Sequence, residues 1–153
     1  MCRIFSRRRD GDHLSSACCT WQRQKIDHEI GYTILYVEDV AATLSFYQQA
    51  FGLTQRFLHE SGGYGELETG ATALAFASRE MLREMHKNPH PPSPDAPSFE
   101  IALTTDDVAE ALKRSVDAGA KLVQDAKVMP WGQTIAYVSD LNDFLIEICT
   151  PMG

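Results

Sequence analysis

From Tyr32 onward the apolar positions change period in a fixed order, and then the order repeats. "YTILYV" reads as a strand, Asp39 is suited to cap a helix N-terminus, and Val40, Leu44 and Tyr47 follow at helical spacing. Sliding the sequence by 68 residues lays Tyr32 over Glu100, Asp39 over Asp107, Val40 over Val108 and Leu44 over Leu112. The second copy, "EIALTTDDVAEALKRSVDAGA", therefore predicts the same strand, cap and helix.

Each predicted helix is followed by three more strand-like stretches. The first set is "LTQRFLHE", "YGELETG" and "ATALAFAS", punctuated by Ser61-Gly62-Gly63 and Gly70; the second is "AKLVQDA", "QTIAYVSD" and "DFLIEICT", punctuated by Pro130-Trp131-Gly132 and Leu141-Asn142. The chain is thus expected to be α+β, with two βαβββ modules. Module 1 covers 30–78 and module 2 covers 99–153 within one domain of residues 30–153. Residues 79–98 hold a short helix, "REMLREMHK", and a proline-rich stretch expected to be extended. Residues 1–29 show neither period and are expected to form a disordered extension. His13 and the Cys18-Cys19 pair in it lack the CxxC spacing of a metal site.

Two βαβββ modules in a chain of this size resemble the vicinal oxygen chelate superfamily, which includes glyoxalase I, extradiol dioxygenases and bleomycin-resistance proteins. "VEDVAATLSFYQQAFGL" and "WGQTIAYVSDLNDFLIEICTP" carry the resemblance most specifically. It implies two four-stranded sheets enclosing an open half-barrel cleft, and, by analogy with dimeric members, a homodimer. It also implies that metal ligands would stand on the first and last strands of each module, which here means Tyr32, approximately Ala75, Glu100 and Glu147. One departure is Asp143, where the family usually has glycine; Asp tolerates left-handed backbone, so the turn is expected to survive.

Strand alternation bears on the two carboxylates independently. In "FEIAL", Phe99, Ile101 and Leu103 share one face and Glu100 the other; in "FLIEIC", Glu147 lies opposite Phe144, Ile146 and Ile148. Two carboxylates with water could hold a hard ion such as Mn2+ or Mg2+ weakly, whereas a tight zinc site calls for nitrogen donors. Without a metal, the pair suits general acid–base work, with Glu147 as base and Glu100 as its partner. Tyr32 and Gln133 are donors that could orient a substrate carbonyl, and Tyr36 and Trp131 are aromatic contacts. The resemblance then implies a glyoxalase-like small-molecule enzyme of lyase, isomerase or dioxygenase type. The alternative is a non-catalytic protein of the bleomycin-resistance type, its acidic, aromatic cleft suiting a cationic ligand.

Composition narrows the partners. The 153 residues, 44% of them hydrophobic, are enough for one domain with a real core. A formal charge of -7, from 14 Lys and Arg against 21 Asp and Glu, leaves no basic face for phosphates, so nucleic acid is not an expected partner. No apolar run reaches the roughly 18 residues a membrane span needs. The four cysteines, Cys2, Cys18, Cys19 and Cys149, do not form a disulfide framework, and a reducing cytoplasm is the expected location. Few basic side chains fall on the strands, so glutathione is a poor fit to the cleft.

Overall fold

The computed structural model describes residues 29–153. The extension, with the expectations placed on it, lies outside those residues apart from Glu29, which is exposed. Both modules form as the repeat predicts. Module 1 runs β1 (Tyr32–Val37), α1 (Val40–Phe51), β2 (Thr54–Leu58), β3 (Tyr64–Glu68) and β4 (Ala73–Ser78), with strands in the order β1-β4-β3-β2. After α2 (Arg79–Glu84), module 2 runs β5 (Glu100–Thr104), α3 (Val108–Asp117), β6 (Lys121–Val128), β7 (Thr134–Ser139) and β8 (Leu145–Cys149), in the order β5-β8-β7-β6. In each sheet the first strand pairs parallel with the last, and the remaining pairs are antiparallel.

The caps form where the sequence puts them. Asp39 accepts from the Ala42 amide at 2.9 Å and Asp107 from the Glu110 amide at 3.0 Å, satisfying donors that the first helical turn leaves free. Helix α1 ends at Gly52, whose φ of 69° is left-handed. Asp143 adopts φ 67°, as its side-chain chemistry allows, and Lys121 Nζ reaches its Oδ1 at 2.8 Å.

Helices α1 and α3 pack on each other, and one apolar cluster joins both modules through them. Leu35, Phe76 and Leu67 enter it from the first sheet, and Val138, Ile146 and Ile148 from the second. Fully burying a side chain of this size is worth about 1.5–3 kcal/mol. Gly65 sets how closely α1 approaches its sheet: a β-carbon there would meet Leu44 Cδ1 at 2.7 Å and Val40 Cγ1 at 3.0 Å.

Polar ties cross the same boundary. Buried Asp140, in the β7–β8 turn, accepts from the Tyr47 hydroxyl at 2.9 Å, while Asn142 Nδ2 donates to Thr43 Oγ1 at 3.0 Å and Asn142 Oδ1 accepts from the Glu38 amide at 2.9 Å. Arg114 Nε donates to the Ala50 carbonyl at 2.8 Å. The shared core occupies the inner face of each sheet. The other faces turn away from it, and the two sheets stay open, not closed into a barrel. No helix among the described residues is long and apolar enough to cross a membrane.

Candidate functional site

The outward face of the second sheet gathers the two glutamates. Glu147 stands on β8 beside Ala102 of β5, and Glu100 stands one pleat away, beside Leu145. That diagonal relation on one face brings long side chains within reach of each other. Ile146 and Ile148 point the opposite way into the core, so the alternation expected from "FLIEIC" holds. Glu100 is exposed and Glu147 half-buried.

Two further groups surround Glu147. Tyr137, directly across on β7, donates its hydroxyl to Glu147 Oε2 at 2.6 Å. This bond, followed by burial and the charges of Glu147 and Glu100, pushes the Tyr137 phenol far above its usual value of 10.0. Buried Cys149 lies on the same face; burial first, then the neighbouring Glu147 carboxylate and the charge of Glu100, push its thiol up to about 11. At neutral pH Tyr137 therefore stays a donor and Cys149 stays a thiol, too little ionised to serve as a nucleophile.

Tyr32 and Tyr36 lie on β1, on the outward face of the first sheet. Their neighbours on that face are Ala73, Ala75 and Ala77 of β4, in register with Tyr32, Ile34 and Tyr36. Ala75 corresponds to Glu147 through the repeat and brings no donor. Beside it, however, Glu66 of β3 presents a carboxylate whose side chain is 13% exposed. The Tyr64 hydroxyl donates to Glu66 Oε1 at 2.9 Å, and Arg56 Nε lies 3.7 Å from Oε2. Burial first, then that bond and charge, push the Tyr64 phenol up to about 12. Each outward face thus carries a tyrosine–glutamate pair.

The remaining sequence candidates lie elsewhere. Trp131, 60% exposed in the β6–β7 turn, donates Nε1 to Gln133 Oε1 at 2.8 Å, and Gln133 Nε2 donates to the Thr150 carbonyl at 2.8 Å. Both ends of the Gln133 amide are thereby engaged in tying the turn to the last strand. With Pro151 and Met152 these residues border a space of about 860 Å³. The proline stretch closes over Thr33–Tyr36 and Asp143–Leu145 to form a separate cavity of about 510 Å³ that includes His90 and Phe99. Glu100 lines a different groove with Thr33, Thr72 and Phe99. The structure therefore sets Glu100 and Glu147 a pleat apart on one face of the second sheet and Tyr32 and Tyr36 at opposite ends of one face of β1, with Trp131 and Gln133 at a turn.

Tyr137, Cys149, Tyr64 and Glu66 are additions to the sequence candidates. Alternation in "YGELE" and "TIAYVS" puts Tyr64 and Glu66 opposite Leu67, and Tyr137 opposite Val138, a signal available in the sequence but without meaning until the neighbouring strand is known.

The profile of the Glyoxalase/Bleomycin resistance protein/Dioxygenase superfamily matches residues 29–148. The chain belongs to this superfamily. A glyoxalase-related enzyme from Fulvimarina pelagi superposes with a TM-score of 0.68 at 23% identity, over 80% of this chain and 88% of that one. A glyoxalase/bleomycin resistance protein/dioxygenase family enzyme from Burkholderia phytofirmans PsJN gives 0.67 at 20% identity, over 80% and 98%. TioX from Micromonospora sp. ML1 gives 0.61 at 21%, over 80% and 98%. At these identities the likeness is one of fold. A search of curated proteins finds no match.

Superfamily membership raises the question of a divalent metal. Among the described residues no three His, Cys, Asp or Glu side chains come together as a group able to hold one. Glu100 and Glu147 fall short of the usual three protein ligands, and Tyr32 and Ala75 stand on the other sheet without completing the set. The donor set of one chain does not fit a resident ion.

Proposed function

We propose that the protein is a glyoxalase-like enzyme acting on a small carbon acid, with Glu147 as general base and Glu100 as its partner. The observation that carries this reading is the placement of the two carboxylates a pleat apart on one outward face, with Glu147 held by Tyr137 at 2.6 Å. Glu147 takes the carbon-bound proton of an α-hydroxycarbonyl, leaving an enediolate, and returns it to the former carbonyl carbon, while the hydroxyl proton passes by way of Glu100 to the former carbonyl oxygen; the carbonyl thereby moves along by one position. Tyr32 and Tyr36 wall the ligand on the first sheet, and a homodimer, in keeping with the superfamily, would bring such a wall opposite the carboxylates. The exposed apolar side chains Tyr32, Ile34 and Phe57, 55%, 45% and 45% exposed, support a covering partner copy.

A suitable probe is the hemithioacetal of methylglyoxal with 2-mercaptoethanol, which carries the reacting carbon without glutathione's carboxylates. Deuterium uptake in D2O at the carbon that receives the proton, followed by NMR, reads the proton transfer directly. Glu147→Gln is expected to slow uptake by about 10²- to 10⁴-fold, the usual contribution of a general base. Equal uptake in parent and variant would refute the role. The alternative, sequestration without turnover, is favoured by the exposed aromatics Tyr32 and Trp131; retention of an aromatic cation with no exchange of the probe would decide for it.

A further inference from the structure

Tyr137 stands directly opposite Glu147 in the antiparallel β7–β8 ladder, in the interior of the sheet, and its hydroxyl spends its proton on Oε2 at 2.6 Å. That length belongs to the strong class in which a hydroxyl donates to a carboxylate. The last torsion of a glutamate is otherwise broad and nearly two-fold, so a carboxylate on an open sheet face samples many orientations. Here one oxygen is taken, and the strand pairing that places Tyr137 also fixes the direction from which it is taken.

We infer that Tyr137 is a positioning residue, holding the carboxylate plane of Glu147 so that Oε1 is the oxygen presented to the substrate's carbon-bound proton. The inference rests on the reading of Glu147 as base. Two effects oppose each other. The hydroxyl draws charge from the carboxylate, which by itself would slow proton abstraction. It also keeps the acceptor oxygen in place, and a misplacement of about 1 Å can cost on the order of a hundredfold in rate. Orientation is the larger effect, so removing the hydroxyl should slow the reaction.

Tyr137→Phe in the full chain keeps the ring and removes only the donor. With the 2-mercaptoethanol hemithioacetal in D2O, kcat for deuterium uptake is expected to fall about tenfold to a hundredfold while KM stays within about twofold. A purely structural tyrosine would lower the melting temperature and leave kcat of the folded protein unchanged, which would overturn the assignment. Uptake that Glu147→Gln abolishes but Tyr137→Phe leaves intact overturns it alone. Absence of uptake by the parent overturns the base role of Glu147, and the positioning role with it.

Discussion

Tyr47→Phe removes a single oxygen from the boundary between the modules. The ring should stay where it is, because it is fully buried and packs against Phe46, Phe51 and Phe76 with centroids 5.3, 5.6 and 5.1 Å away. What changes is Asp140, 1% exposed, whose Oδ1 accepts from the Asn142 and Phe144 amides at 2.8 and 2.9 Å and whose Oδ2 accepts from Tyr47 at 2.9 Å. Without the phenol, Oδ2 loses that partner in a buried site, at a cost of about 1.5–3 kcal/mol for a hydrogen bond to a charged group. For a chain of this size that is a fall of about 3–12 °C in melting temperature near pH 7. Burial already raises the Asp140 carboxyl above 3.8, with the amides and Tyr47 opposing the rise. A carboxyl whose folded value is raised favours the folded state most below its unfolded value, and that contribution is lost as pH climbs through the folded one. Losing Tyr47 raises the folded value further, so the deficit of Tyr47→Phe should be largest near pH 7 and smaller near pH 4. Thermal melts across that range check this, with a double-mutant cycle against Asp140→Asn, whose neutral amide should shrink the cost of losing the phenol. Equal deficits at both pH values together with no coupling in the cycle would refute the reasoning.

Gly65→Ala should cost about 1–3 kcal/mol by pushing α1 off the sheet, read as a lower urea midpoint with an unchanged slope. Cys149, with its thiol near 11 and buried, should resist alkylation by iodoacetamide at pH 8 in the folded protein and react once urea unfolds it, as mass spectrometry of the Cys149 peptide will show. Rapid labelling in the folded state would contradict that environment.

Local order was written in the sequence. Asp39 and Asp107 cap because a short carboxylate can reach amides three residues on, and Glu100 and Glu147 oppose the apolar face because successive strand residues alternate. The 68-residue repeat likewise fixed the order of elements in both modules, and the left-handed Asp143 followed from side-chain chemistry. Tertiary structure decided what those residues meet. Placing β8 between β5 and β7 brings Glu100 to Glu147 and sets Tyr137 across from it, a register between strands that no local period encodes. Glu66 comes to stand beside Ala75 for the same reason. The packing of α1 on α3 then merged the inner faces into one core, which left the tyrosines of one module and the carboxylates of the other on outward faces. Alternation within a strand is a property of the backbone itself, whereas the choice of neighbour is made by burying apolar surface from distant parts of the chain, so the first can be read residue by residue and the second only after folding.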